Sequence, residues 1–379
     1  IFCGQYWGKR QTEPVRKISS VAMRAGLFIA VVLFAAVSLF PQRAVGLFTT
    51  EESIIREGAA YLGIVKYTYV FFAVTIILLA TLRSVETVKI AFWLSVMAFC
   101  VNCCINYVLI YGRFGAPELG AKGAAIGTLA ARIAECAVLL VYIAKKEKKL
   151  HLQLKDYFRA DRLMAGDYFR VCLPMLVVQG LWGLNTALQT VILGHMSAAA
   201  IAANSAASTL FLLVKSMSVG ASSTASVIVG KTIGTGNIPL VKHYSSIMQR
   251  MFVVIGLVSG LLLFLIRIPV MTLYDLSPEA MEMMNTFLII LSVVCVGMSY
   301  QMPTNNGIIR GGGNAMFVVK MDLVSIWMIV IPLSFAMAFV VKASPAVVVC
   351  CLNADQIFKC VPAFLESHYG NWIRKLTRE

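Results

Sequence analysis

The chain has 379 residues, of which 59% are hydrophobic and 13% are charged, and its formal net charge is +15. Soluble domains carry about 25% charged residues, so this composition excludes an ordinary soluble protein and is typical of a membrane protein. A balance this basic would indicate nucleic-acid binding in a soluble chain. Here the basic residues lie in short loops between apolar runs, so we predict a lipid bilayer as the partner and no nucleic acid.

Ten apolar runs are long enough to cross a bilayer, since a spanning helix needs roughly 20 residues. They lie near residues 18–40, 61–82, 88–111, 123–144, 169–194, 203–230, 246–269, 283–304, 315–341 and 344–364. Residues 1–8 have the character of the end of a further apolar helix. Strands of a membrane barrel would be about ten residues long with alternating polarity. The runs therefore predict an all-α polytopic membrane protein.

Basic residues are concentrated in alternate loops. The longest basic stretch joins the fourth and fifth complete runs, at residues 145–168, whereas the loops on the other side carry acids such as Glu51, Glu52 and Glu279. Loops rich in Lys and Arg stay in the cytoplasm. We therefore predict a cytoplasmic C-terminus.

Two parts of the sequence form an internal repeat. Residues 1–17, IFCGQYWGKRQTEPVRK, match ASVIVGKTIGTGNIPLVKHY at residues 225–244 when Pro14 is aligned with Pro239, at an offset of about 225 residues. Duplicated halves of this kind are typical of transporters, and copies in the same orientation are related by a pseudo-two-fold axis along the membrane normal.

The repeat predicts two lobes of six helices each. We place the first lobe at residues 1–144, a basic cytoplasmic loop between the lobes at 145–168, and the second lobe with its tail at 169–379. The second copy contains about 60 residues before its VGKTIG segment. The first copy starts at the segment that corresponds to VGKTIG, without an equivalent of those residues. We therefore expect the chain to lack one helix and most of a second, which leaves the first lobe incomplete.

Three stretches resemble the multidrug and toxic compound extrusion (MATE) family. They are GQYWGKR at residues 4–10, NYVLIYGRFGAPELGAKGAAIGTLAAR at 106–132 and IIRGGGNAMFVVKMDLVSIWMIVIPLSFA at 308–336. The resemblance implies an antiporter, coupled to protons or sodium, that exports amphipathic or cationic small molecules by alternating access. It also implies a monomer in the plasma (inner) membrane of a bacterium, with no enzymatic activity and no cofactor beyond the coupling ion.

The sequence departs from that family at coupling positions. Many relatives carry an acid on the first helix, and we expect that helix to be missing from this sequence. Relatives with a cation site in the second lobe place acids on the seventh and tenth helices. The seventh helix here offers only Gln179, Asn185 and Gln189, and the tenth-helix motif ends in Asn314. These departures argue against sodium coupling through the second lobe.

Polar side chains within the spans are candidates for a cavity wall. Gln179, Asn185 and Gln189 share roughly one face of their helix. Two functions fit such groups: binding of a polar or cationic solute, or hydrogen bonds that hold helices together. Lys215 would not attract a cation, and we expect it to pair with an acid such as Asp355 or Glu135. The full set of cavity candidates is Gln179, Asn185, Gln189, Asn204, Lys215, Asn305 and Asn306.

Charged pairs within the spans are candidates for coupling. Arg132 and Glu135 lie three residues apart and Asp355 and Lys359 four apart, spacings that suit local ion pairs. A structural pair is favoured for both. If either acid titrates during transport it would carry a proton, because burial raises the pKa of a carboxyl group.

The remaining coupling candidates are polar groups of both lobes. In the first lobe, Asn102 and Asn106 share a helix face and join Glu135. In the second lobe, Arg310 and Asn314 join Asp355 and Lys359. Asp322 lies near the cytoplasmic end of its run, where anchoring is the simplest role.

A flippase for a lipid-linked cell-envelope precursor, built on a related two-lobe fold, is the alternative function. Such a protein would line its cavity with several cations to hold a pyrophosphate. Cations within the spans are few: Arg24, Lys66, Arg132, Lys215 and Lys359.

A membrane-embedded enzyme would need a catalytic constellation, and the sequence contains none. Gly230, Lys231 and Thr232 match the end of a phosphate-binding loop, but Ala225 occupies the position of its first glycine, so nucleotide binding is rejected. His195 and His243 are isolated, and we predict no metal site.

Overall fold

The computed structural model describes residues 1–46, 51–152, 162–274 and 276–377. In this part of the chain the secondary structure is helical apart from turns and one isolated β-bridge between Gly313 and Ile373. The helices are α1 Phe2–Gly8, α2 Thr12–Leu39, α3 Pro41–Gly46, α4 Glu52–Val65, α5 Thr68–Ser84, α6 Lys89–Ile110, α7 Ala121–Lys146, α8 Arg162–Met196, α9 Ala198–Gly234, α10 Ile238–Met271, α11 Pro278–Ile309, α12 Ala315–Val340 and α13 Pro345–Tyr369.

The long helices coincide with the apolar runs of the sequence. Among the described residues, nine helices are long and apolar enough to cross a membrane, and α4 with α5, bent by 50° at their junction, make a tenth if they are counted as one span. Each of the ten predicted runs overlaps one of these spans. The predicted all-α membrane architecture is confirmed.

Three long helices of the second half begin at side-chain caps. Ser197 Oγ accepts a hydrogen bond from the Ala200 N–H at 3.0 Å, and Asn237 Oδ1 accepts one from the Leu240 N–H at 3.1 Å. Ser277 caps α11 in the same way, just before a proline in the first turn. These caps satisfy amide groups that the first turn of a helix leaves free, and they fix where each span starts.

The helices divide into two compact units. The N unit comprises Arg10–Tyr168, and the C unit comprises Ile1–Lys9 together with Phe169–Glu379. The core of the N unit contains Leu82 and Leu139, both fully buried. The main core of the C unit is larger and includes Leu263, Met284, Phe287 and Leu288.

The sequence analysis places residues 1–9 in the first lobe, whereas in the structure these residues belong to the C unit. The reason is close packing of α1 against α9. Gly4 and Gly8 of α1 meet Gly230 and Gly234 of α9, and the absence of side chains lets the two backbones touch. The repeated corner also folds alike in both copies: α1 ends at Gly8 before α2 begins at Thr12, and α9 ends at Gly234 before α10 begins at Ile238.

The C-terminal segment that follows α13 is fixed to the C unit. Trp372 is 1% exposed, packs on Gly312, and donates its indole N–H to the Ser367 carbonyl at 2.8 Å. The Arg374 N–H donates to the Gly312 carbonyl at 2.8 Å. Gln5 of α1 then holds the segment from the other side.

The Gln5 side chain is fully buried and bonds twice to the C-terminal backbone. Its Nε2 donates to the Arg374 carbonyl at 3.0 Å, and its Oε1 accepts from the Leu376 N–H at 2.9 Å. One glutamine therefore provides hydrogen-bond partners for two backbone groups of the C-terminal segment that no neighbouring strand pairs.

Candidate functional site

The C unit contains a buried cluster of three charged side chains. Lys359 Nζ lies 2.8 Å from Asp322 Oδ1 and 3.0 Å from Asp355 Oδ2. The side chains of Lys359 and Asp355 are 4% and 7% exposed, and that of Asp322 is 26% exposed. The predicted pair of Asp355 with Lys359 is confirmed, and Asp322 of α12 is an additional partner that the sequence analysis assigned to anchoring.

An interruption of α13 positions Asp355. The first segment of the span ends at Leu352, and a short helical segment starts at Asp355 and ends at Phe358. Broken helices within spans are tolerated where neighbouring groups satisfy the freed backbone. The break places Asp355 at the N-terminal end of a helical turn, and Lys359 follows one turn later on the same face.

Three side-chain amides extend the charged cluster into α11. Gln356 Nε2 donates to Asp355 Oδ2 at 2.8 Å, and Gln301 Nε2 donates to Gln356 Oε1 at 2.8 Å. Asn305 Nδ2 donates in turn to Gln301 Oε1 at 3.0 Å. In each of these three hydrogen bonds, the donating N–H points along the series toward Asp355. We call the six residues the polar network: Asp322, Lys359, Asp355, Gln356, Gln301 and Asn305.

The far end of the polar network is an amide with an open acceptor. Asn305 is 1% exposed, and its Oδ1 has no hydrogen-bond partner among the described residues. Leaving a buried acceptor without a partner costs roughly 1–3 kcal/mol. The network is therefore ordered along three helices but incompletely satisfied.

The polar network contains two acidic groups and one basic group. Two carboxylates and one ammonium leave it with a net charge of −1 when all three groups are ionised, in a region where isolated charges are expensive. Lys215 and Arg310 interact electrostatically with Asp355 and Asp322, respectively, from outside the network, so their positive charges offset this excess. In the described residues, no group of three or more His, Cys, Asp and Glu side chains is arranged to hold a metal ion.

The N unit contains a second buried ion pair. Arg132 lies 2.7 Å from Glu135 Oε2, and Glu135 is buried. The Arg132 guanidinium also stacks over Phe72, 5.0 Å from the ring centre. The predicted pair is confirmed.

Asn102 and Asn106 of the N unit are also brought together as predicted. Asn106 Nδ2 donates to Asn102 Oδ1 at 3.0 Å, and Asn102 Nδ2 donates to Thr128 of α7 at 3.4 Å. The buried Asn106 Oδ1 lies against Gly127 and, within the described part of the chain, has no hydrogen-bond partner. These amides join α6 to α7 and leave one acceptor open.

The cavity candidates on α8 and α9 differ in exposure. Gln179 is exposed, Asn185 is buried, and Gln189 and Asn204 are half-buried. The half-buried Lys215 lies over the indole ring of Trp182, with its Nζ 4.6 Å from the ring centre.

Among the described residues no salt bridge joins Lys215 to Asp355 or Glu135, but Asp355 is close enough to interact electrostatically with the Lys215 ammonium group. Asp355 Oδ2 is bound by Lys359 and Gln356, and Glu135 is bound by Arg132. An aromatic face attracts a cation by its quadrupole, so Trp182 adds to the attraction that Asp355 exerts on Lys215.

The remaining candidates have their hydrogen-bond partners outside the polar network, although Arg310 also interacts electrostatically with Asp322. Arg310 donates to Asn306 Oδ1 at 3.3 Å, one turn away on the same helix end. Asn314 Nδ2 donates to Glu366 Oε1 at 2.9 Å and ties the start of α12 to the end of α13. Of the two adjacent asparagines predicted for the cavity, only Asn305 joins the network.

Sequence reasoning missed four residues around these sites: Asp322, Gln301, Gln356 and Trp182. Asp322 was visible as an acid in an apolar run, which is itself a signal of function. No sequence spacing shows that it meets Lys359, because the two lie on different helices. The two glutamines carried no signal beyond their polarity.

Comparison with known families agrees with this architecture. The MatE family model matches residues 1–108 and 174–336. The probable multidrug resistance protein YoeA of Bacillus subtilis is 23% identical over 348 residues, which are 90% of this chain and 74% of that protein. The probable multidrug resistance protein NorM of Thermotoga maritima is 23% identical over 379 residues, 98% of this chain and 80% of that protein.

Solved structures share the fold. The eukaryotic MATE transporter AtDTX14 superposes with a TM-score of 0.83 at 18% identity, covering 98% of this chain and 82% of that one. The Vibrio cholerae MATE transporter VcmN in its bent form gives a TM-score of 0.82 at 15% identity, covering 97% and 82%. Since the family model covers more than half of the sequence, the chain belongs to the MatE family of membrane transporters and is not an enzyme.

Proposed function

We propose that the chain is a cation-coupled antiporter, driven by protons or sodium, that exports amphipathic or cationic compounds by alternating access. The observation that carries the proposal is Lys359, held between Asp322 and Asp355 inside the spans of a MatE-family chain. Ionisable residues in hydrocarbon are expensive, and those of transporters serve ion and proton pathways. The names of YoeA and NorM as multidrug resistance proteins support the substrate class.

The polar network supplies the ion-binding step of this proposal. A proton or cation that joins Asp355 and Asp322 weakens their hold on Lys359, because fewer negative charges then share its ammonium group. The amides from Gln356 to Asn305 carry the change to α11. Binding of the ion and of the substrate then favours different states of the protein, which is the requirement for exchange. One charge crossing 100 mV provides about 2.3 kcal/mol.

The N unit offers the second set of proposed coupling groups. Glu135 is the buried acid of that unit, and Asn102 and Asn106 provide amide oxygens. We further propose a monomer in the plasma membrane. We place its C-terminus in the cytoplasm because of the charge of the loops.

The flippase is not retained as a second function. Such a protein needs free cations to hold a pyrophosphate. The five span cations named in the sequence analysis each have a partner of their own: Lys359 has two aspartates, Arg132 has Glu135, Lys215 has Trp182, Lys66 has the rings of Phe34 and Tyr67, and Arg24 has the hydroxyl of Ser20.

Transport by everted vesicles tests the proposal. We expect ethidium to accumulate in the vesicles when a proton or sodium gradient is imposed, and Asp355→Asn to reduce the rate at least tenfold. Glu52→Gln, which removes an exposed acid outside the polar network, is the control and should leave the rate unchanged. Equal rates in the Asp355 variant and the wild type would remove the network from the mechanism.

A further inference from the structure

A cavity of about 370 Å³ lies between the end of α10 and the beginning of α11. Its walls are mainly apolar, with one cation and one amide among them. The lining residues are Arg267, Ile268, Met271, Thr272, Met281 and Asn285. The polar network does not involve any of these residues, so the cavity is a separate feature of the C unit.

The guanidinium of Arg267 is held in place on three sides. Its Nε donates to Asn285 Oδ1 at 3.1 Å, and its Nη1 donates to the Phe264 carbonyl at 2.7 Å. The Phe264 ring lies beneath the group, with its centre 3.7 Å from the guanidinium carbon. Arginine has five N–H donors, so three remain for a ligand after these two bonds.

These bonds direct the guanidinium toward the middle of the two helices rather than past their ends. Arg267 lies four residues before the end of α10, about 6 Å inside the helix end. Asn285 lies seven residues after the start of α11, about 10 Å from that helix end, and the Phe264 carbonyl is also on the interior side of Arg267. An arginine at a membrane boundary usually extends toward water. Arg267 instead bonds to groups that lie further inside α10 and α11 than its own position.

No acid balances this charge inside the protein. Within the described part of the chain, no carboxylate lies within ion-pairing distance of Arg267. Arg267 is half-buried, and a bound anion would supply the counter-charge that the described residues do not provide. Phosphate oxygens match the fork of a guanidinium better than any other common membrane group.

The surface beside the cavity fits a lipid chain. Leu261, Leu265 and Ile268 are 59%, 60% and 63% exposed and follow one side of α10 away from the guanidinium. An apolar strip that leads to a cation matches a phospholipid, with its acyl chain along the helix and its phosphodiester at Arg267.

From this arrangement we propose that the cavity between α10 and α11 is a phospholipid site in which Arg267, positioned by Asn285 and Phe264, binds the lipid phosphodiester. The site does not depend on what the protein transports. A phospholipid seated there would join two helices of the C unit at the membrane boundary and stabilise the fold by binding only the native state.

Native mass spectrometry of the detergent-purified chain tests the site with phosphatidylglycerol as the probe. We expect the wild type to retain one more phosphatidylglycerol than Arg267→Leu and to gain several degrees in melting temperature when the lipid is added, a gain that the variant loses. Lys342→Ala removes an exposed cation elsewhere and should behave as the wild type. Asn285→Leu keeps the charge but frees the guanidinium, so it should bind the lipid at least fivefold more weakly.

Two results would overturn the proposal. One is equal lipid retention and equal thermal stabilisation in the wild type and in both cavity variants. The other is stabilisation by inorganic phosphate as strong as that by the lipid, since the ligand would then be a free anion and the apolar strip would have no part in binding.

Discussion

Gly4 and Gly230 lie backbone to backbone: a Cβ atom on Gly4 would be 3.6 Å from the Gly230 Cα, and one on Gly230 would be 3.5 Å from the Gly4 Cα. Gly8 and Gly234, one turn further along, are closer still, because a Cβ on either would overlap a backbone carbonyl oxygen of the facing helix. Each helix thus presents a GxxxG motif, and the two copies of the repeat cross at equivalent positions. Small residues permit this close helix contact in membranes.

Gly234→Ala should separate α1 from α9. A methyl group there cannot be accommodated without a backbone shift, and overpacking of this kind costs about 1–3 kcal/mol. We expect a lower melting temperature in detergent. Gly220→Ala is the control on the same helix, because no heavy atom lies within 4 Å of its Cβ position. A melting temperature that falls equally in both variants would contradict the close contact.

Lys359→Met should be among the most destabilising single changes in the C unit. It leaves Asp322 and Asp355 buried without their counter-charge, and breaking a buried ion pair on one side costs about 3–5 kcal/mol. Unfolding by SDS, followed by circular dichroism, measures the loss. The triple change Asp322→Asn, Asp355→Asn and Lys359→Met removes the charges together and should recover most of the stability. No recovery would show that the charges are not coupled in this way.

Gln5→Ala should release the C-terminal segment. The change removes the hydrogen-bond partner of the Arg374 carbonyl and of the Leu376 N–H, and a typical intramolecular hydrogen bond contributes roughly 0.5–1.5 kcal/mol. Limited trypsin digestion at Arg374 and Lys375, read by mass spectrometry, should become at least fivefold faster. Gln11→Ala changes an exposed glutamine and should not alter the rate. Protection that persists in Gln5→Ala would mean that Trp372 alone retains the segment.

The loop charges predict that residues 145–152 and 235–237 lie on one side of the membrane and residues 341–344 on the other. In a cysteine-free background, a membrane-impermeant maleimide applied to intact cells should therefore label Ser344→Cys and spare Lys148→Cys and Asn237→Cys. Labelling of Lys148→Cys but not Asn237→Cys would contradict both the repeat and the orientation of the C-terminus.

The spans could be predicted from the sequence because hydrophobic length alone determines them: each predicted run overlaps an observed helix. Local pairs were also accessible, since Arg132 with Glu135 and Asp355 with Lys359 lie one helical turn apart. Contacts between residues on different helices could not be predicted from the sequence. Neither Asp322 with Lys359 nor Gln301 with Gln356 has a spacing that reveals contact.

The assignment of residues 1–9 could not be predicted from chain order either. The glycines at the contact between α1 and α9 can be seen in the sequence, as GQYWG and GKTIG. Each of these two motifs is also typical of the end of a single helix. Only the crossing of the two backbones shows that they form one contact. The same holds for Lys215, because its ring partner Trp182 lies on a different helix and no sequence spacing shows that contact.

The most direct test of the account is a measurement of ethidium efflux from cells that lack their own pumps and express this coding sequence with any in-frame residues that precede Ile1. Ethidium should accumulate less than in cells without the gene, and an uncoupler, together with removal of sodium, should abolish the difference. The Asp355→Asn variant, present in the membrane at wild-type levels, should accumulate ethidium as cells without the gene do. Efflux by the wild type that persists after both ion gradients are removed would contradict cation-coupled export.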